Sequence, residues 1–324
     1  MTKIDLKDRR ILYELDEDAR QSLTQVGKKV GLKKDVVSYR IKRMQDDNVI
    51  QAFYTVIDAY KLGYSIYRLY INFQYVDKDI RKKIIEFFSN YKYICTVGEA
   101  LGKYDLIVVV WVNDLSEFYR FWSESLEKFG EYFETKIFSS YIHGVGFRQS
   151  FLLAEKYKSK DRKEHEYFGV GKKVEIDEMD YYLLNDIALN ARAQLIDLAS
   201  KFDCSSQTIN YRLKRLKKEG LIQAFRVALN LPLIGFKRYK VNINLKDHSE
   251  RKNIIKYIKE NPNLLYISSS IGISDLEFEF VVSEQDEIID IIEDLNQNFP
   301  GYIKNYSMFG NLKTYKETFL PKLF

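Results

Sequence analysis

The chain has 324 residues, of which 46% are hydrophobic and 30% charged, with a formal net charge of +5. That is ample material for several packed domains at a prior of roughly 150 residues each, and four prolines without a Gly/Ser-rich stretch argue against long disorder. The mild positive balance permits nucleic-acid binding without indicating it, while Cys95 and Cys204, far apart and outside any CxxC, exclude a disulfide framework and a thiolate zinc site.

The opening Met1-Thr2-Lys3-Ile4-Asp5 lacks the apolar run of a signal peptide. The longest hydrophobic stretch, Leu106 to Val112, is too short to cross a bilayer. A cytoplasmic protein without a membrane partner is expected.

The first predicted element is a helix led by Asp5, an acceptor ahead of Ile11, Leu12 and Leu15, with Asp8 in its first turn. A second helix is predicted over Thr24–Val30, ended by the permissive backbone of Gly31. A third spans Lys34–Asp47, with Val37, Ile41 and Met44 on one stripe. Asn48 closes it, and the apolar Val49–Ile57 is expected to form the strands of a wing. Three helices, a tight turn and a wing make a winged helix-turn-helix.

The outward face of the third helix carries Lys34, Asp35, Ser38, Tyr39 and Lys42, with Arg40 and Arg43 beside them. A helix entering the major groove needs cations for phosphates and short polar or amide side chains for base edges. These residues are the candidate DNA contacts.

Next come a strand over Tyr67–Tyr75, a helix over Lys78–Asn90, strands at Tyr93–Val97 and Leu106–Val112, a helix carrying Leu115, Phe118, Phe121, Trp122 and Leu126, and a strand over Thr135–Ile142. The order βαββαβ is that of a ferredoxin-like domain. Ala154 to Lys173, with its charge-rich run from Glu155 to Glu164, is expected to be a solvated linker or, in a sharper reading, a basic arm on DNA.

The chain then repeats itself. A shift of 172 lays residues 4–53 on 176–225 without a gap, and sixteen pairs are identical. They include Asp5/Asp177, Asp8/Asp180, Ala19/Ala191, Arg20/Arg192, Tyr39/Tyr211, Arg40/Arg212, Lys42/Lys214 and Arg43/Arg215, and Ile50-Gln51-Ala52-Phe53 recurs whole from Ile222. A shift of 170 continues the match through Arg81/Arg251, Gly102/Gly272 and Asp105/Asp275. The second third helix offers Ser206, Gln207, Asn210, Tyr211, Arg212, Lys214, Arg215, Lys217 and Lys218, where Asn and Gln suit adenine.

The expected fold class is therefore α+β, two repeats of a winged helix-turn-helix followed by a ferredoxin-like βαββαβ domain. The expected boundaries are 1–58, 59–153, a charged linker at 154–173, 174–230 and 231–324.

The motif from Ile4-Asp5 through Ala19-Arg20, Val30-Gly31-Leu32 and Tyr39-Arg40-Ile41-Lys42-Arg43-Met44 to Val49-Ile50-Gln51-Ala52-Phe53 resembles the Lrp/AsnC family of transcription regulators. The second copy matches more loosely, with Phe202-Asp203-Cys204 in place of Val-Gly-Leu, and the duplication itself departs from the family's usual single copy. The resemblance implies double-stranded DNA as partner and a small effector such as an amino acid. It implies effector binding at the turn Gly102, Tyr104 and Asp105, with Gly272 and Asp275 as the weaker counterpart; a bare Gly-x-x-Asp also reads as a common hairpin turn. Pairing of the copies within one chain, and of chains with one another, is expected.

No cofactor, metal or catalytic residue is expected. His143, His165 and His248 are the only histidines, none in a ligand pattern or beside a nucleophile, and no phosphate-binding glycine loop occurs. Two alternatives stand beside the regulator: a fused enzyme resembling siroheme decarboxylases, and an assembly or ligand-sensing protein whose helix-turn-helix no longer binds DNA.

Overall fold

The computed structural model describes residues 2–156, 164–169, 172–318 and 320. The first copy runs α1 (Leu6–Glu17), α2 (Leu23–Val30), α3 (Lys34–Asp46), β1 (Ile50–Ile57), β2 (Ser65–Phe73), α4 (Lys78–Asn90), β3 (Ile94–Gly102), β4 (Leu106–Val112), α5 (Leu115–Phe129) and β5 (Phe133–Phe147), with β6 (Glu164–Phe168) after it. The second runs α6 (Glu178–Ala188), α7 (Leu195–Lys201), α8 (Ser206–Lys218), β7 (Ile222–Leu229), β8 (Lys237–Leu245), α9 (Arg251–Ile258), β9 (Leu264–Ile271), β10 (Leu276–Val282), α10 (Asp286–Asn298) and β11 (Ile303–Glu317).

The local signals act as expected. Asp5 caps α1 and Asp177 caps α6, each in a capping box closed by the Asp three residues on. Gly31 and its counterpart Asp203 both take left-handed backbone in the helix-turn-helix turn, and Asn48 and Gly220 do so after α3 and α8.

The strand after each third helix, expected within a wing, instead pairs antiparallel with its counterpart in the other copy. β1 and β7 form a two-stranded ribbon in which Tyr54 faces Arg226. Those two positions are equivalent in the repeat, so a local twofold axis passes between them. The physical reason is burial: β1 is covered over most of its length, and a buried strand must satisfy its backbone groups somewhere. The two helical domains consequently share one core, in which Ile11, Leu12 and Leu15 pack in the same cluster as Leu183, Leu184 and Ile187.

Each βαββαβ unit has the ferredoxin-like strand order, β5-β2-β4-β3 and β11-β8-β10-β9. The final strands are longer than the expected Thr135–Ile142 because each serves both copies. β5 pairs with β2 through its first half and with β9 through its second, and β11 does the same with β8 and β3. The ladder therefore closes into an eight-stranded barrel, half from each copy. Helices cover its outside, where Leu69, Val108 and Phe121 form one cluster and Val241, Phe278 and Ile292 another.

The expected linker is partly structured. Ser150–Lys156 forms 3₁₀ turns, and β6 adds to the edge of β5, with Lys259 bonded to Glu164 at 3.0 Å. The centre of the charge-rich run, 157–163, lies outside the described residues.

Candidate nucleic-acid interface

The site is built on α3 and α8, each presented by its helix-turn-helix and anchored by an apolar stripe, Val37, Ile41 and Met44 or Ile209, Leu213 and Leu216. On α3, Lys34, Asp35, Ser38, Tyr39 and Lys42 are exposed; on α8, Gln207, Tyr211, Lys214, Lys217 and Lys218 are exposed, with Ser206 and Asn210 half-buried. Tyr39 and Tyr211 project to the same degree, 66% and 67% exposed, so the two copies offer matching aromatic projections on otherwise different faces.

The four arginines do something else. Arg40 Nη1 donates to Asp5 and Asp8, both at 2.8 Å, and Arg43 Nη2 donates to Asp8 at 2.5 Å. In the second copy Arg212 donates to Asp177 and Asp180, at 2.7 Å each, and Arg215 also reaches Asp180. Asp8 and Asp180 are fully buried. The guanidinium groups are thus turned inward to carboxylates, where they lash the recognition helix to the N-terminus of the first helix. The expectation that they contact phosphates stands beside this bracing role, since their side chains keep 20–37% of their surface exposed. Hydrogen bonding to Asp5 and Asp8 raises Arg40 above its ordinary value, and Arg212 rises for the same reason against Asp177 and Asp180. Asp5 sits below the usual carboxylate value, because slight desolvation is outweighed by the Asp8 amide and by Arg40.

Lysines supply what remains. Among the described residues, Lys34, Lys42, Lys214 and Lys218 have no ion pair, so their charges face solvent and are available to phosphates.

A second set of retained residues couples the copies. Arg20 donates to the carbonyl of Ala191 at 2.6 Å and Arg192 to that of Ala19 at 2.5 Å. The Ala19 amide bonds Phe225 and the Ala191 amide bonds Phe53, while each arginine lies over the ring of the other copy's phenylalanine at about 5.5 and 5.3 Å. This is an isologous contact inside one chain. Sequence reasoning missed it, although the signal was present: Ala-Arg and Ile-Gln-Ala-Phe are retained in both copies.

The turn residues read as an effector site make hairpins. Asp105 Oδ2 accepts from the Phe73 amide at 2.8 Å and Asp275 Oδ2 from the Leu245 amide at 2.7 Å. Gly102 and Gly272 take left-handed backbone, and a Cβ at Gly272 would stand 2.5 Å from the Phe138 carbonyl. Tyr104 is buried against Tyr70 and Phe309. A cavity of about 220 Å³ in the barrel is lined by none of these five.

Residues 4–45 match the AsnC-type helix-turn-helix domain, and residues 176–223 match the winged helix-turn-helix DNA-binding family. An HTH-type transcriptional regulator of Pyrococcus horikoshii is 30% identical over 128 residues, 39% of this chain and 78% of its own. The proline dehydrogenase transcriptional activator of Rhodobacter capsulatus is 32% identical over 130 residues, 38% of this chain and 80% of its own. Among solved structures, the siroheme decarboxylase NirDL superposes over 99% of this chain and 95% of its own, with a TM-score of 0.64 at 12% identity. At that identity the likeness is one of fold alone. Among the described residues no helix is long and apolar enough to cross a membrane, and no cluster of His, Cys, Asp and Glu could hold a metal.

Proposed function

The chain belongs to the Lrp/AsnC family of DNA-binding transcription regulators, and on that premise we propose that one chain serves as a complete pair of readers for an asymmetric operator. The observation that carries this reading is selective divergence. The residues that brace each recognition helix (Asp5, Asp8, Arg40 and Arg43) are identical in the second copy, whereas Lys34, Asp35 and Ser38 on the outer face become Ser206, Gln207 and Asn210. Two helices held by the same supports thus present different chemistry to the groove.

In this reading Lys34, Lys42, Lys214 and Lys218 position the protein on phosphates. Ser38, Gln207 and Asn210 read base edges, and Tyr39 and Tyr211 lie along the backbone or against thymine methyl groups. The test is binding to duplex from the gene's own upstream region and to a scrambled duplex, titrated in salt. Preference for the upstream duplex, with log affinity falling linearly in log salt, is expected. Perfect palindromes selected at full affinity would refute the asymmetry, and no binding of either duplex at low salt would refute the regulator.

A second reading is favoured by the full-length likeness to a siroheme decarboxylase together with the cavity in the barrel. No histidine lines that cavity, which weighs against imidazole-dependent chemistry there. Mixing the protein with an iron porphyrin and following the Soret band tests it: an unchanged band sets this reading aside.

A further inference from the structure

In a barrel built from two copies of one unit, the two half-walls start out equivalent, and here they have become chemically opposite. Three cross-strand pairs of the first copy point into the lumen: Ile66 with Trp111, Arg68 with Val109, and Tyr70 with Ile107. The equivalent pairs of the second copy are Arg238 with Val281, Lys240 with Glu279, and Asn242 with Glu277. One wall holds a single charge amid aliphatic and aromatic side chains, and the other holds four. A lumen that needed only to be filled would be apolar on both sides, since each buried charge costs several kcal/mol unless it is compensated.

The charges compensate one another unevenly. Lys240 Nζ lies 2.6 Å from Glu277 and 3.7 Å from Glu279, so it neutralises Glu277 first. Arg68 approaches the same two carboxylates no closer than 3.8 and 3.6 Å, and its buried Nε has no hydrogen-bond partner. Arg238 lines the cavity and has no ion pair among the described residues; Glu279 and Glu317, the latter exposed at the rim, act on it only at longer range. Two guanidinium groups with donors to spare, one on each half-wall, therefore border a cavity of about 220 Å³ whose first-copy wall also carries Ile66, Ile107, Val109 and Trp111.

We propose that the barrel lumen is a binding site for an amphipathic organic acid, its carboxylate held by Arg238 and Arg68 and its apolar body laid against Ile66, Ile107, Val109 and Trp111. A guanidinium fork matches a carboxylate in two parallel hydrogen bonds, and a few polar anchors in an otherwise apolar cleft are the usual make-up of a small-molecule site. The site is distinct from the two hairpin turns, and it stands independently of the operator reading because its test contains no DNA.

The probe is octanoate, compared with octanol and octylamine by titration calorimetry on the full chain, with tryptophan emission as a second signal because Trp111 lines the cavity. Saturable binding of one octanoate per chain is expected, at least tenfold tighter than octanol, with octylamine not competing. Arg238→Ile, which installs the residue found at the equivalent position of the first copy, should weaken octanoate tenfold or more and leave octanol unchanged. Arg238→Lys, which keeps the charge and loses the fork, should fall between, and it serves as the readout if the isoleucine variant does not fold. No saturable octanoate binding to the unmodified chain, equal binding of octanol and octanoate, or unchanged affinity in a folded Arg238 variant would overturn the proposal.

Discussion

Arg226 and Asp16, both fully buried, meet across the boundary between the copies through two hydrogen bonds of 2.9 and 2.6 Å. Asp16 also accepts from the amide and side chain of Gln149, at 2.7 and 2.8 Å, and Arg226 donates to the Phe147 carbonyl at 2.8 Å. The equivalent positions are Ala188 and Tyr54, so this ion pair exists on one side of the local twofold axis and not on the other. Removing one partner strands a buried charge. Asp16→Ala should cost about 3–5 kcal/mol in urea unfolding. The double variant Asp16→Ala/Arg226→Tyr, which copies the residues of the other side, should recover at least half of that loss. A double variant no more stable than Asp16→Ala would show that the site has no room for the uncharged arrangement.

The bracing arginines and the free lysines should separate in experiment. Arg40→Ala should lower stability by about 1–3 kcal/mol, because Asp8 loses a charged partner while buried. Lys42→Ala should leave stability unchanged, weaken binding to every duplex, and reduce the slope of log affinity against log salt by roughly one. Thermal unfolding and salt-titrated binding on the same two variants check both halves; a normal melting temperature for Arg40→Ala would deny it the bracing role.

Base readout makes a narrower prediction. Asn210→Ala should relax preference at one position of one half-site by ~1–3 kcal/mol while other positions keep theirs. Binding to a library of single-base operator variants measures this directly. A uniform loss across the library would remove Asn210 from the readout set.

Acid should loosen the barrel in a defined window. Glu277 and Glu279 are held below their ordinary value of 4.5: burial alone would raise them, and Lys240 with Arg68 overcomes it. A lowered carboxylate stabilises the fold fully above its unfolded pKa, and that stability is lost as pH falls through the folded value. Denaturant midpoints should thus be flat on this account down to about pH 4.5 and decline below it. Replacing Lys240 by Met removes the cation closest to Glu277 and raises the folded pKa of both acids toward the unfolded value, so the decline below about pH 4.5 should become shallower. An unchanged acid limb would assign it to other carboxylates, such as Asp5 and Asp177.

Much of the local structure was legible in the residues. Asp5 announced a helix start that its repeat partner Asp177 shares, and Asn48 announced the left-handed residue that ends α3. The strand order followed from a pattern of periods, and the duplication followed from identity at fixed shifts. What escaped was everything that depends on the copies meeting. Val49–Ile57 reads as half of a hairpin because nothing in its own neighbourhood reveals that its partner lies 172 residues away. The second half of β5, beyond Ile142, is too rich in glycine (Gly144 and Gly146) to announce a strand, and only β9 makes it one. The bracing role of Arg40 and Arg43 escaped for a chemical reason: a cation near a groove-facing helix looks the same in sequence whether it meets phosphate or carboxylate. Their joint retention with Asp5 and Asp8 held the answer, since four residues kept together point to one another.

The closed ladder also settles stoichiometry. Two separate polypeptides of this kind would sort into three combinations, two of them like with like. A pair of second copies would crowd two sets of Glu277 and Glu279 into one lumen, and a pair of first copies would leave Asp16 without Arg226. Joined in a single translation product, the two halves are always made in equal number and at each other's side. Each was therefore free to acquire residues that only the other can accommodate.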